Sequence, residues 1–176
     1  MMKVFTIGHS THPIDEFIAL LKQNGVERVV DIRTIPRSRY NPQFEQTALV
    51  HSLPEDGIEY IHMKELGGLR PKVKDSINLG WRNASFRNYA DYMQTEEFNA
   101  GIDKLIDYGQ EKTTAIMCAE ALPWRCHRSL VGDALLVRGV EVLNIMNMTT
   151  TTPHKLTPFA KAEGTKIIYP EVVGDD

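Results

Sequence analysis

The chain has 176 residues, of which 42% are hydrophobic, and a formal net charge of -3 at pH 7. This length fits a single domain that can bury a core without disulfide bonds, and the mild negative charge excludes a strongly basic nucleic-acid-binding protein. The sequence contains no apolar run of 18 residues and no signal-peptide core after Met1-Met2-Lys3, so we expect a cytoplasmic protein without a membrane partner.

The first third of the chain predicts alternating strands and helices. Residues 3–8 form a strand-like run, and Pro13 begins a helix that Thr11 or His12 can cap and that ends at Gly25. A second strand covers 28–32, a helix capped by Asn41 reaches Leu53, and a third strand covers 59–62. The pattern up to this point is βαβαβ.

Residues 63–85 carry no sustained hydrophobic period. An irregular insertion of this length inside a compact domain is unusual unless it covers a binding site or is disordered. We therefore predict that this segment is a lid over the functional site.

Regular spacing returns after the irregular segment. Helical periods begin at Phe86 and again at Phe98, and a strand covers 113–117 and ends at Cys118. A further helix closes at Gly139 and is followed by a strand over 141–145. In the tail we predict a short helix over 158–162 and an edge strand over 166–169.

Strands that alternate with helices predict an α/β fold. We expect one domain over residues 1–176, built as a three-layer sandwich with a largely parallel, Rossmann-like sheet of about five strands and helices on both faces. Polar and titratable residues follow the strands of this sheet: His9, Ser10, Asp31, Arg33, His62, Glu65, Cys118 and Glu120. Because ligands bind at the carboxyl ends of parallel strands, we predict a shared site there.

Cys118 is the candidate nucleophile. A thiol at the end of a strand, near arginines and the start of a helix, can have a lowered pKa, and His127 and Glu120 can then act as acid or base. The alternative is that Cys118 is simply a buried residue, since free cysteines are often buried.

The run Cys126-His127-Arg128 begins the helix after Cys118 and predicts an anion site. The first backbone N–H groups of a helix bind anions, and Arg128 can add a bidentate contact that Arg33 and Arg37 complete. The alternative is structural: Arg128 pairs with an acidic residue, and Asp31 only anchors Arg33. His9, Ser10 and Glu65 are further candidates for substrate binding.

Cysteines also serve in phosphatase loops, zinc sites and reversible disulfides. The six residues between Cys118 and Arg125 contain no glycine, which argues against a protein-phosphatase loop. A zinc site would require separated segments to converge, and no CxxC or HExxH spacing is present. A reversible Cys118–Cys126 disulfide requires a Cα separation within about 7 Å. The predicted site therefore contains no metal, and the sequence assigns no cofactor.

Several short runs together resemble the domain of unknown function family 488: Gly8-His9-Ser10-Thr11, Asp31-Ile32-Arg33-Thr34-Ile35-Pro36, Glu65-Leu66-Gly67-Gly68, Tyr89-Ala90-Asp91-Tyr92-Met93, Cys118-Ala119-Glu120 and Cys126-His127-Arg128. The resemblance covers almost the whole chain and implies a small α/β domain. It implies no reaction, cofactor or substrate.

Two functions are consistent with these residues. The first is a small enzyme that acts on an anionic, phosphate-bearing or nucleotide-like substrate through Cys118, Glu120 and His127. The second is a non-catalytic module in which the same basic cleft binds a nucleotide or a nucleic acid. The clustering of titratable groups favours the enzyme. The sequence does not indicate an oligomeric state.

Overall fold

The structure is a computed structural model that describes residues 2–172. Within these residues the main strands are β1 (Lys3–Gly8), β2 (Arg28–Asp31), β3 (Glu59–His62), β4 (Thr114–Cys118), β5 (Glu141–Ile145) and β6 (Thr151–Pro153), followed by the short strands β7 (Lys161–Glu163) and β8 (Lys166–Ile168). The helices are α1 (Ile14–Gln23), α2 (Gln46–Glu55), α3 (Ala84–Tyr92), α4 (Glu96–Glu111) and α5 (Arg128–Leu136).

The central sheet has six strands in the order β3-β2-β4-β1-β5-β6. The first five run parallel and β6 pairs antiparallel with β5. Gly8 is level with Cys118, and Asp31 is level with both Met117 and His62. The carboxyl ends of β1 to β4 therefore lie at one edge, as the sequence predicts.

The two faces of the sheet are buried by different helices. Along β4, Ala115 and Met117 pack with the apolar residues of α1 and α2, whereas Ile116 and Cys118 pack with those of α3, α4 and α5. This alternation is the two-residue period of a strand that is covered on both sides. The predicted three-layer α/β sandwich is confirmed, with six strands in the sheet.

The adjacent strands β1 and β4 send the chain to opposite faces of the sheet. The helix after β1 packs on one face, and the helix after β4 packs on the other. In open α/β sheets such a divergence leaves a crevice beyond the strand ends. Cys118 is the last residue of β4 and lies at this crevice.

Two details of the first helices differ from the prediction. No side chain caps α1, and Pro13 occupies the N-cap position. The helix expected after Asn41 is divided into a 3-10 turn over Pro42–Phe44 and then α2. The division lets Phe44 turn inward, where its ring stacks on His9 with centroids 4.3 Å apart.

The carboxyl-terminal region also differs. The predicted helix over 158–162 is wrong, because 161–163 is strand β7. The strand predicted near 166–169 does form, as β8, but it pairs with β7 in a separate two-stranded sheet rather than at the edge of the central one. Phe159 instead packs edge-on against Trp81 with ring centroids 4.8 Å apart.

The segment over 63–85 is mostly irregular. Its regular parts are a 3-10 turn over Lys64–Leu66 and the first residues of α3. Arg70 is fixed above the Tyr92 ring, with its guanidinium carbon 3.6 Å from the ring centroid, and donates to the carbonyls of Gly67 and Lys64. No helix within residues 2–172 is long and apolar enough to cross a membrane.

Candidate functional site

A cavity of about 360 Å³ lies at the carboxyl edge of the sheet. Among its lining residues are Arg33, Arg37, Cys118, Glu120, Arg125, Cys126 and His127. The cavity thus brings together six of the predicted site residues, and Arg125 is an addition to them. Three arginines and one carboxylate give it a positive balance of charge.

Cys118 lies at the floor of this cavity and is only 2% exposed. Its Sγ accepts a hydrogen bond from Nη1 of Arg128 at 3.0 Å, and its own S–H points to the carbonyl oxygen of Glu120 at 3.7 Å. The residues directly after β1 hold the start of the loop, because the His9 and Ser10 N–H groups donate to the Cys118 and Ala119 carbonyls. The position of the thiol is therefore fixed from both sides.

The pKa values of the two thiols shift in opposite directions. Burial raises the pKa of Cys118, but a hydrogen bond from Cys126, the charge of Arg128 and the Glu120 backbone together lower it from 9.0 to about 7. Burial and the neighbouring Cys118 thiolate raise the pKa of Cys126. The pair therefore favours a single negative charge on Cys118 near neutral pH.

The sequence predicts that Arg128 contacts an anion, but its side chain does not reach the surface of the cavity. It is 1% exposed, and its guanidinium donates to the carbonyls of Glu120 and Ala121 at 2.6 and 2.9 Å. No ion pair between the described residues includes Arg128. The structural alternative, in which Arg128 pairs with an acidic residue, is thus not seen, and the Cys118 thiol is the acidic group that it contacts.

His127 forms part of the cavity wall and is half-buried. Its Nε2–H donates to the carbonyl oxygen of Ile32 at 2.9 Å, which leaves Nδ1 facing Sγ of Cys126 at 3.6 Å. Burial lowers its pKa from 6.5 to about 4, so the ring is neutral near pH 7. In this tautomer Nδ1 is an acceptor, and the ring has no proton to donate into the cavity.

Asp31 anchors Arg33. The carboxylate is fully buried and accepts hydrogen bonds from Nε and Nη2 of Arg33 at 2.9 and 2.7 Å, and from the Tyr60 hydroxyl at 2.5 Å. Nη2 of Arg33 also donates to the Phe44 carbonyl. The arrangement matches the structural alternative for Asp31 and leaves Nη1 as the part of Arg33 that is least occupied.

His9 lies beside this ion pair and does not line the cavity. Its Nδ1–H donates to the Ser10 carbonyl at 2.8 Å, and Nε2 is 3.4 Å from Nη1 of Arg33. Burial and the nearby arginine lower the pKa of His9 to about 4, although the Ser10 carbonyl opposes this shift. A neutral His9 is therefore an acceptor that orients Arg33.

Ser10 and Glu65 are also absent from the cavity lining. Ser10 has a positive φ of 47° directly after β1. The side chain of Glu65 packs towards α4, since a Cβ added to Gly101 would lie 3.1 Å from its Cγ. Neither residue is close to the Cys118 thiol through any contact that the structure describes.

Part of the irregular segment forms one wall of the cavity. Gly68 and Leu69 line it, and the Leu69 N–H donates to the Thr34 hydroxyl. A Cβ added to Gly68 would lie 2.7 Å from Nδ1 of His127, so only glycine fits against this ring. The Gly67-Gly68 pair was a signal in the sequence for this close approach, whereas Arg125 carried none beyond its charge.

Among residues 2–172, no group of three or more His, Cys, Asp or Glu side chains is arranged to hold a metal ion. Both cysteines are reduced. The cavity offers two thiols, three arginine side chains and one exposed carboxylate as its reactive and charged groups.

A family model described as "Domain of unknown function DUF488" matches residues 13–135. The matched region includes Asp31, Arg33, Cys118 and Arg128 and begins after His9 and Ser10. Comparisons with curated proteins and with solved structures returned no match.

Proposed function

The chain belongs to the DUF488 family, whose description names no reaction, and we propose from the chemistry of the site that it is an enzyme in which Cys118 attacks an anionic small molecule. The substrate class is a phosphate-bearing or similarly charged compound. The thiolate is the nucleophile, and the arginines at the cavity hold the anion. The observation that carries the proposal is the buried Arg128 guanidinium on the Cys118 thiol.

A buried cation requires a counter-charge. Burying a guanidinium without a paired anion is costly, and carbonyl oxygens compensate only part of that cost. Arg128 contacts two carbonyls and one ionisable group, the Cys118 thiol. Ionisation of Cys118 supplies the missing charge, and this supports a thiolate at neutral pH.

The cavity above the thiol suits an anion. Arg37 and Arg125 line it without an ion-pair partner among residues 2–172, and Arg33 is held in place by Asp31. An anion bound by these groups is brought next to a nucleophile of the same charge, which requires the arginines to offset the repulsion. Binding and chemistry therefore depend on the same side chains.

The reaction class is nucleophilic displacement. A bond forms between Sγ of Cys118 and the electrophilic atom of the substrate, and the bond to the leaving group breaks with its electron pair. The leaving group takes a proton from water at the mouth of the cavity, where the exposed Glu120 carboxylate can orient it. The hydroxide that this leaves then attacks the group held on Sγ, which releases the hydroxylated product and restores the thiolate. His127 is neutral and donates its Nε2–H to the Ile32 carbonyl, so it has no proton to give to the leaving group.

The test is the charge preference of alkylation at Cys118. Native protein is labelled with iodoacetate or iodoacetamide near pH 7, and each cysteine is quantified by mass spectrometry. We expect Cys118 to favour the anionic reagent more than a free thiol does, because the arginines attract it. Inorganic phosphate should slow the labelling by competition.

The double variant Arg37→Ala/Arg125→Ala should remove the preference for iodoacetate. Arg39→Ala is the matched control, since Arg39 lies over the Tyr40 ring and does not line the cavity. Resistance of Cys118 to both reagents in folded protein below pH 9 would refute the nucleophile.

A non-catalytic anion-binding module is the second candidate, and the 2% exposure of Cys118 favours it. In that case phosphate binds with the same dependence on Arg37 and Arg125, while neither cysteine reacts. A long nucleic acid is less well supported than a small anion. Arg33 is buried and Arg70 is fixed over Tyr92, so neither arginine is free on the surface to bind the phosphates of a long strand.

A further inference from the structure

A second cavity, of about 460 Å³, lies on the other side of the 3-10 turn Pro123–Arg125. Trp124 lines this cavity, and the next residue, Arg125, lines the arginine cavity. The two cavities are thus separated by a single turn of the chain that follows Cys118. We call the second one the tryptophan cavity.

Aromatic rings form much of its wall. Trp81, Trp124 and Phe159 line it. Trp81 is held by edge-on contacts to Phe86 and Phe159, with ring centroids 5.1 and 4.8 Å apart. Trp124 is 62% exposed. One fixed indole and one accessible indole provide surfaces on which a planar ring can stack.

One side-chain amide at the cavity has a free hydrogen-bond donor. Asn144 lies on β5, is 6% exposed and lines the cavity. Its Oδ1 accepts a hydrogen bond from the Thr6 hydroxyl at 2.5 Å, while its amide nitrogen has no partner within residues 2–172. A nearly buried amide with a free donor is suited to a polar atom on the edge of a ligand ring.

A histidine adds a complementary acceptor. Nε2 of His154 is 2.8 Å from Oδ1 of the buried Asp133, which also accepts hydrogen bonds from the hydroxyls of Thr157 and Tyr169. In the tautomer whose Nε2–H donates to this carboxylate, Nδ1 is an acceptor. The fixed orientation of His154 has no role in the chemistry of Cys118.

Charge at the tryptophan cavity is compatible with a neutral or anionic ligand. Lys155 lines it, and none of the described carboxylates does. Aromatic surfaces, one amide donor and one imidazole acceptor match a planar heterocycle that has both an acceptor and a donor on its edge. Aliphatic chains would leave both polar groups unpaired.

We propose that the tryptophan cavity binds the base of a nucleoside or nucleotide. The base stacks on Trp124, and its edge bonds to Asn144 and His154. That the same ligand places its phosphate in the arginine cavity, and is the substrate of Cys118, rests on the proposed function; binding of the base does not.

The chain has two tryptophans, and both line this cavity. Intrinsic tryptophan fluorescence therefore reports on it directly. Folded protein is titrated with adenosine, guanosine, cytidine and uridine, with ribose as the control that lacks a base. We expect saturable quenching by at least one nucleoside, with a dissociation constant in the millimolar range or below, and none by ribose.

Variants locate the binding. Trp124→Ala should weaken it roughly tenfold through lost stacking, with Trp81 as the remaining reporter. Tyr40→Ala removes an even more exposed ring elsewhere and should have no effect, because Tyr40 is 85% exposed and outside the cavity. Asn144→Ala should weaken binding about fivefold. Thr6→Val removes the same internal hydrogen bond but keeps the amide, and should bind normally.

Quenching by none of the four nucleosides overturns the proposal, and so does quenching that Trp124→Ala and Asn144→Ala leave unchanged. A nucleoside monophosphate should also protect Cys118 from alkylation better than phosphate does. Equal protection would refute the shared substrate. An inert Cys118 in a protein that still binds nucleosides would remove the proposed enzyme and leave the base site standing.

Discussion

Nη1 of Arg128 lies 3.0 Å from Sγ of Cys118. The buried guanidinium therefore donates a hydrogen bond to an ionisable thiol. Each side chain explains the other. The guanidinium holds the loop carbonyls of Glu120 and Ala121, and the thiol offers the charge that the guanidinium lacks. The structural role of Arg128 is therefore also an electrostatic one.

Replacing Arg128 should change both properties. Arg128→Lys keeps a positive charge but loses the planar fork that bonds two carbonyls and a thiol at once. We expect the pKa of Cys118 to rise towards 9 and the free energy of unfolding to fall by about 2 kcal/mol. Thiolate absorbance during a pH titration and urea unfolding measure the two effects. An unchanged pKa would show that Arg128 does not stabilise the thiolate.

Cys126 should lower the pKa of the neighbouring Cys118 thiol. Its hydrogen bond is one cause of the lowered pKa of Cys118, so Cys126→Ala should raise that pKa by about one unit. The rate of Cys118 alkylation then reaches half its maximum at a higher pH. Cys126→Ser, which keeps a hydroxyl donor, is the control and should restore part of the shift. Identical pH profiles for wild type and Cys126→Ala would contradict the coupling.

Gly8 should be needed for the Cys118 loop. A Cβ at this position would collide with the Glu120 carbonyl oxygen and lie 2.5 Å from Nη1 of Arg128. We expect Gly8→Ala to displace the loop and to abolish fast alkylation of Cys118. Gly25→Ala is the matched control, because Gly25 has φ +71° and nothing within 4 Å of the added carbon. That variant should lose only about 1 kcal/mol of stability and keep its reactivity.

Asp31 should contribute mainly to stability. Asp31→Asn leaves the buried Arg33 without its counter-charge, and we expect a loss of about 3–5 kcal/mol in the free energy of unfolding. Tyr60→Phe removes one hydrogen bond to the same carboxylate and should cost about 1 kcal/mol. Chemical denaturation compares the two variants. A near-neutral Asp31→Asn would reopen a direct role for Asp31 in substrate binding.

Acid should destabilise the protein through its buried histidines. Burial lowers the pKa of His127 and of His9 from 6.5 to about 4. Between these values the unfolded chain binds a proton that the folded state does not, so stability falls as the pH drops from 6.5 towards 4. At pH 5 each histidine should cost about 2 kcal/mol relative to pH 7.

His127→Gln isolates the share of one histidine. Glutamine can still donate to the Ile32 carbonyl but does not titrate, so the difference in unfolding free energy between pH 7 and pH 5 should shrink by about 2 kcal/mol. His51→Gln is a control on the exposed side of α2 and should leave the difference unchanged. An unaltered pH dependence in His127→Gln would mean that other groups cause the acid sensitivity.

The five parallel strands were predictable because each is a short apolar run followed by a change of period. The divided helix after Asn41 was not, since Phe44 turns inward to meet His9, a residue 35 positions earlier. The hairpin of β7 and β8 has a sequence signal in Gly164-Thr165, the two residues of its turn. Glycine suits the first position because its φ there is positive, at 61°.

The sequence predicts which residues belong to the site better than it predicts the contacts between them. Parallel strand ends meet at one edge, which placed Cys118 and Arg33 together from the sequence alone. The oxygen partners of Arg128 are backbone carbonyls. Their directions depend on the path of the loop, which the identities of the residues do not predict. The same holds for the wall that Gly68 forms against His127.

The division of the core by the sheet has a practical consequence for handling the protein. Val50 is 41% exposed on α2, the helix that packs on the face opposite to Cys118. A dye or surface tether attached there through an introduced bio-orthogonal side chain would be screened from the reactive thiol by a full layer of strands. Immobilised protein would then keep both cavities open to solution, which suits ligand screening on a sensor chip.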